Sequence, residues 1–241
     1  MNLIVEIGNS RLKILVFEKE QIIFEKKITL EKGSFSIDAL KSFDIKKAIL
    51  SGSGDMEHNW ILEIKTQFPF IQLFEKSNIK SILYKYQTPN TLGNDRLLNA
   101  FAAIKLFPNQ SNLIIDCGSC LTFSFIDSKN VFWGGSISPG LKMRAISMHE
   151  YTQKLPFVDT KADFFSIIGL NTEESIKSGL YISMQAEIEY RITWFLENFK
   201  KINIILTGGD AHFFENRLKN KIFADSNLTF KGLNYILNEV E

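Results

Sequence analysis

Apolar and polar positions along the chain fall into a pattern that occurs twice. Leu3-Ile4-Val5-Glu6-Ile7-Gly8-Asn9-Ser10 reads as a strand carrying an acid, followed by a glycine and a small polar turn. Leu113-Ile114-Ile115-Asp116-Cys117-Gly118-Ser119-Cys120 repeats that order. Each copy runs on into alternating apolar residues, Leu12, Ile14 and Val16 in the first and Leu121, Phe123 and Phe125 in the second. Each then meets a polar tip, Glu18–Gln21 or Asp127–Asn130, and a further strand, Ile22–Ile28 or Val131–Ile137. Period-two alternation around a polar tip predicts a β-hairpin in each copy. A third strand, Ile202–Leu206, ends in Thr207-Gly208-Gly209-Asp210 and leads into an expected helical stretch at Ala211–Lys219. Helical spacing predicts helices at Asp55–Phe68, Asn94–Phe107, Leu141–His149 and Thr172–Phe199, the last with Ile176, Leu180, Ile188 and Ile192 in one stripe. Strands alternating with helices give an α/β class. The polar break Pro108–Asn112 precedes the second copy, so the expected domains are 1–110 and 111–241.

Composition adds mainly exclusions. With 241 residues, 45% of them apolar and 21 of them Phe, the chain can bury a core in each of two lobes. Its 28 basic and 27 acidic residues give a net charge of +1, which does not build a nucleic-acid-binding surface. No apolar stretch approaches the roughly 20 residues of a membrane helix, and Glu6 interrupts the first apolar run, unlike a signal peptide. The expected location is cytoplasmic, with no membrane and no nucleic-acid partner. Cys117 and Cys120 have the spacing of a redox or zinc half-site, but no second cysteine pair exists, and His58, His149 and His212 are scattered.

The repeated acid-x-Gly turn has a physical use. Without a Cβ, a glycine lets backbone amides approach phosphate, and successive amides in a tight turn form an anion-binding concavity. An acid beside the turn can hold a cation against those phosphates. Two such turns facing each other would grip a nucleoside triphosphate. Gly208-Gly209 suits close approach of a ring or ribose, or a plain positive-φ turn; Gly134-Gly135 and Pro139-Gly140 also read as turns. Thr88–Arg96 is a loop opening a helix, which places Asp95 in a first helical turn. Asp95 is there either as decoration of the helix dipole behind a capping Asn94, or as a carboxylate that orients a nucleophilic hydroxyl, with Arg96 facing an anionic substrate.

Taken together, these residues resemble the type III pantothenate kinases. The resemblance is carried by Glu6–Lys13 as a first phosphate loop, by Tyr86 and Thr88-Pro89 ahead of Gly93-Asn94-Asp95-Arg96, and by Asp116–Ser119 as a second phosphate loop. It continues through Gly134–Leu141, Asn171-Thr172 with Ser178-Gly179, and Thr207–Asp210 as an adenosine motif. It implies a duplicated ribonuclease-H-like fold of the actin, sugar kinase and heat-shock chaperone superfamily, with two lobes and a nucleotide cleft. The implied activity is ATP-dependent phosphorylation of pantothenate to 4′-phosphopantothenate, the first step of coenzyme A biosynthesis. Asp95 would be the catalytic base. Tyr86, Gly93, Asn94, Asp95, Arg96 and Thr172 would line the pantothenate site. Glu6, Ile7, Gly8, Asn9, Ser10, Arg11, Leu12, Lys13 and Ser119 would contact ATP. Asp116 would hold a monovalent cation, potassium or ammonium, with magnesium accompanying ATP, and the long helix would build a homodimer.

Three positions depart from the pattern: Glu6 stands where Asp is usual, Ser119 for Thr and Cys120 for Ala. The extra methylene of Glu6 moves its carboxylate outward, and a displacement of about 1 Å can cost roughly 100-fold in rate. The rival readings are a non-catalytic regulatory relative, marked by Glu6, and another small-molecule kinase of the same fold.

Overall fold

The computed structural model describes residues 1–8, 11–30, 36–52, 54–161, 164 and 166–239. Its elements, in order, are β1 (Asn2–Ile7), β2 (Arg11–Glu18), β3 (Gln21–Thr29), β4 (Lys47–Gly52), α1 (Asn59–Gln67), β5 (Gln72–Leu73), β6 (Leu83–Tyr84) and α2 (Asn94–Leu106). They continue with β7 (Ser111–Cys117), β8 (Cys120–Ile126), β9 (Val131–Pro139), α3 (Leu141–Glu150), α4 (Thr172–Asn198), β10 (Ile202–Thr207), β11 (Phe223–Ala224) and α5 (Leu228–Glu239).

The sequence repeat is a repeat of topology. One sheet has the order β3-β2-β1-β4-β5, and the other has β11-β10-β7-β8-β9 with β6 added at its edge. In each, an antiparallel hairpin pair is followed by a parallel partner, β1 with β4 and β7 with β10. Both hairpin tips turn through a non-glycine residue at positive φ, Lys19 at 55° and Asn130 at 59°. A buried asparagine lies within the first two residues of the first strand of each copy. Asn2 donates to Asn234 and Asn238 at 2.8 Å each, and Asn112 accepts from Asn203 at 3.0 Å.

The chain forms two compact units. One holds residues 1–80, 92–102 and 229–241; the other holds 81–91 and 103–228. This differs from a single boundary near residue 110, for two reasons. β6 pairs with β9 and so takes 81–91 into the second unit. α5 returns to β1 through the asparagine contacts and so takes 229–241 into the first. In the first unit, Leu3, Val5, Ile7, Leu12, Ile14 and Val16 face a core closed by Ile61 and Ile64 of α1. In the second, Leu113, Ile115, Leu121 and Phe123 pack beneath Leu141 of α3 and Leu180, Met184 and Ile188 of α4.

Four predicted helices are present with ends close to those expected. α1 starts only at Asn59, because Nδ1 of His58 accepts from the Trp60 amide and caps it. The expected helix at 211–219 is a single 3-10 turn, Ala211–Phe213. Ala211, Phe213 and Phe214 are all buried within four positions, a spacing no single helical face provides. β4 and α5 lie outside the sequence expectations. Among the described residues, no helix is long and apolar enough to cross a membrane.

Candidate functional site

The first acid-Gly turn joins β1 to β2. The Gly8 amide donates to the Arg11 carbonyl at 2.9 Å, which closes the turn; Asn9 and Ser10, expected to contact ATP, lie outside the described residues. Side chains alternate across the pair. Ile7 and Leu12 therefore point into the core and are 0% exposed, so of these two expected ATP contacts only the backbone can serve. Glu6 and Lys13 oppose each other on the other face, paired at 2.9 Å. The Lys13 ammonium also lies 5.1 Å from the centre of the Phe230 ring on α5. A half-exposed ion pair of this kind contributes about 0–1 kcal/mol. Its consequence is geometric: the longer carboxylate at position 6 is used to hold Lys13. Arg11 is exposed.

Two further glycines, missed by the sequence reading, shape this turn. A Cβ on Gly52 would overlap the Ile7 carbonyl, and one on Gly54 would overlap the Gly8 carbonyl. The Gly54 amide also donates to Ile7 at 3.0 Å. The available signal was a Gly-x-Gly directly after the apolar run Ala48-Ile49-Leu50.

Asp95 stands on the first turn of α2. The Leu97 amide bonds the Gly93 carbonyl at 3.1 Å, so Gly93 occupies the cap position and Asn94 is already helical, not the cap expected. A Cβ on Gly93 would overlap the Asp95 carboxylate where it lies, so glycine leaves that side chain room over the helix start. Asp95 is exposed, whereas Arg96 is 5% exposed and turns inward, more enclosed than the anion-facing fork expected. α5 supports this end of α2: Thr229 donates to Asn99 at 2.7 Å, and Gly232 packs so closely on the Leu98 carbonyl that a Cβ would stand 2.5 Å from it.

The second turn joins β7 to β8, with the Gly118 amide bonded to the Cys120 carbonyl at 3.1 Å and Ser119 exposed. Two glycines from elsewhere lie on it. Gly140, ahead of α3, donates to the Ser119 carbonyl at 3.2 Å, and a Cβ there would overlap the Gly118 carbonyl. Gly208, at φ 95°, lies against Asp116 and Cys117, where a Cβ would overlap the Asp116 carboxylate. The Asp210 amide donates to the Cys117 carbonyl at 2.9 Å. Burial, then the charges of Asp116 and Asp210, push the Cys117 thiol well above its usual range, so it is an inert core group. Burial also raises the Asp210 carboxyl, against an opposing effect from His212. All three histidines serve local structure: His58 caps α1, while His149 and His212 bond the carbonyls of Leu155 and Gly209 at 2.8 and 2.9 Å.

In the same unit, the Tyr86 ring rests on β9. It meets Phe132 edge-on at 6.0 Å, and a Cβ on Gly134, at φ 116°, would come within 3.0 Å of it. Thr172 is the exposed first residue of α4, which Asn171 caps by accepting from the Glu174 amide at 2.9 Å. The structure thus gathers Glu6, Gly8, Lys13 and Gly93–Arg96 in one unit, and Tyr86, Asp116, Ser119 and Thr172 in the other.

The chain is similar to known proteins in sequence and in fold. The family model for type III pantothenate kinase matches residues 2–193. A type III pantothenate kinase of Flavobacterium johnsoniae is 40% identical over 238 residues, covering 97% of this chain and 96% of the relative. One from Christiangramia forsetii is 37% identical over 98% of both chains. Two solved structures share the fold. One, described as a Baf family transcriptional activator from Campylobacter jejuni, has a TM-score of 0.61 at 20% identity over 98% of each chain. The other, described as a 2-dehydro-3-deoxygalactonokinase from Sinorhizobium meliloti, has a TM-score of 0.58 at 12% identity, again over 98% of each.

Proposed function

The chain belongs to the type III pantothenate kinase family, and we propose on that premise that it transfers the γ-phosphoryl group of ATP to the primary hydroxyl of pantothenate. The observation that carries this reading in the chain itself is Asp95: an exposed carboxylate at a helix start, beside a glycine that leaves it room. Phosphoryl transfer has a loose transition state, so the protein chiefly positions groups and neutralises charge. Asp95 holds the pantothenate hydroxyl and accepts its proton as the bond forms. Gly93, Asn94, Arg96, Tyr86 and Thr172 complete the pantothenate contacts. In this reading the backbone of Ile7, Gly8, Arg11 and Leu12 and the hydroxyl of the exposed Ser119 serve as phosphate contacts. Arg11 and Lys13 balance their charge, with Glu6 holding Lys13 in place.

Magnesium enters with ATP, and its chemistry is to neutralise the phosphate oxygens. Among the described residues, no three His, Cys, Asp or Glu side chains converge on a metal position. In this reading Asp116, on the second acid-Gly turn, is the residue that would hold a monovalent ion. Its charge beside a triphosphate is unfavourable unless a cation lies between them. Activity is expected in potassium or ammonium and lost in sodium alone, and Asp116→Asn lowers the rate and weakens that dependence. Equal rates in all three salts would remove the cation role.

The protein acts as a cytoplasmic homodimer in this proposal. Tyr181 and Met184 on α4 are 0% exposed in the chain's own core and so offer nothing to a partner. The support comes instead from the segment ahead of α4. Its backbone is tied down, with Ser178 donating to the Ile167 carbonyl at 2.9 Å and the Leu170 amide donating to Glu174 at 2.8 Å. Yet Ile167, Ile168 and Leu170 are 76%, 68% and 88% exposed, and Tyr190 on α4 is 72% exposed. Apolar side chains on an ordered backbone mark an interaction surface. Sedimentation is expected to give twice 27.6 kDa at micromolar concentration, and a 27.6 kDa species would count against the dimer.

A further inference from the structure

The middle of α4 carries a carboxylate shared between two other elements. Glu187 Oε2 pairs with the Arg144 guanidinium at 2.6 Å, and Oε1 accepts from the Ser138 hydroxyl at 2.8 Å. The remaining Arg144 nitrogens are also engaged: Nε donates to the Pro139 carbonyl at 2.7 Å and Nη1 to the Ser183 hydroxyl at 3.3 Å. One turn on, Arg191 approaches the same carboxylate at 3.9 Å and lies 4.7 Å over the Phe123 ring. The Arg144 and Glu187 side chains are 18% and 24% exposed. Charge-assisted hydrogen bonds of this kind are directional and stronger than neutral ones.

The network grips Ser138–Gly140, the strap that lies on the second acid-Gly turn. Gly140 donates to the Ser119 carbonyl at 3.2 Å, with too little space for a Cβ against Gly118. α3 starts immediately afterwards, with the Arg144 amide bonded to the Gly140 carbonyl at 3.0 Å. The strap is thus fixed to the turn on one side and to α4 on the other.

We infer that Glu187 and Arg144 are positioning residues for this phosphate turn. They lock the strap, and through Gly140 they hold Ser119 and Gly118 in the orientation that nucleotide phosphates require. The inference rests on reading the turn as a nucleotide site. In the sequence, Glu187 is one acid among several on a long helix.

Two variants test it. Glu187→Gln keeps the size and can still accept from Ser138, but loses the charge opposite Arg144. Arg144→Lys keeps the charge but cannot span Glu187 and the Pro139 carbonyl with one fork. Each is expected to weaken binding of ADP with magnesium about tenfold, the equivalent of one ionic hydrogen bond. Calorimetry without pantothenate reads this directly. The KM for ATP rises in step, while the KM for pantothenate stays within about twofold. Should both variants fail to fold, Ser138→Ala deletes a single hydroxyl and is expected to weaken ADP binding about threefold. A purely structural role would lower the melting temperature and leave the folded protein's ADP affinity unchanged; that result overturns the inference, as does an equal rise in both KM values. Wild-type protein that binds ADP but does not phosphorylate pantothenate defeats the functional reading alone, and the ratio of ADP affinities still decides this one. Wild-type protein that binds no ADP overturns both.

Discussion

Replacing Asp95 with Asn is expected to cut turnover by roughly 100-fold or more, the range lost with a general acid–base group. ATP binding should persist, because the phosphate-facing turns are separate in the chain. Asn has the size of Asp, and the residue is exposed, so the helix start beside Gly93 can keep its geometry. What disappears is the negative charge that orients the hydroxyl and the oxygen that accepts its proton. If Asp95 served only the helix dipole, the change would be about 0.3–1 kcal/mol of stability with near-normal turnover. These outcomes are far enough apart for one steady-state experiment and one melting curve to separate them. A folded Asp95→Asn protein that turns over at near wild-type rate would remove Asp95 from the mechanism.

Two adjacent glycines should give opposite results. Gly208 sits at φ 95°, and an added Cβ there would lie 2.5 Å from the Cys117 carbonyl carbon as well as overlapping Asp116. Strain at such a backbone position alone costs about 1–3 kcal/mol, and the overlap adds to it. Gly208→Ala is therefore expected to lower the melting temperature by several degrees and to abolish nucleotide binding by displacing Asp116. Gly209 has nothing within 4 Å of a built Cβ. Gly209→Ala should change stability by no more than about 0.5 kcal/mol. If the adenosine moiety lies against this backbone, the same methyl weakens ATP binding in a protein of normal stability. Equal thermal stability for both variants would contradict the account of this turn.

The legible part of the chain was its local part. Both hairpins, both acid-Gly turns and α2 to α4 follow from period-two or helical spacing and from the position of glycine, all of which act within about ten residues. The packing that steadies the candidate site acts over longer separations. α5 was not foreseen, yet it meets Asn2 through Asn234, supports the start of α2 through Thr229 and Gly232, and places Phe230 under Lys13. No spacing rule joins residue 2 to residue 234. No spacing rule singles out Gly52 and Gly54, whose use depends on the Ile7 and Gly8 carbonyls that pack against them. Arg96 was expected to face an anionic substrate, whereas it is 5% exposed. The buried stripe of α4 is wider than its aliphatic positions Ile176, Leu180, Ile188 and Ile192 suggest; Ser178, Tyr181 and Met184 lie within it.

The reading of Glu6 shows how a departure can be resolved by its neighbours. An Asp at this position would end one methylene short. The Glu present reaches Lys13 at 2.9 Å across the strand pair, so the longer side chain has a defined partner rather than an arbitrary displacement.

The central claim is tested most directly by incubating the purified protein with magnesium, potassium and ATP against a panel of acceptors. Pantothenate, several sugars, a sugar acid, acetate and water would be included, with the products read by mass spectrometry. A phosphorylated pantothenate is expected that forms only with ATP, at a rate well above that of every other acceptor. ATP turnover with a sugar or with water at an equal or greater rate, or no phosphopantothenate under any of these conditions, would contradict it.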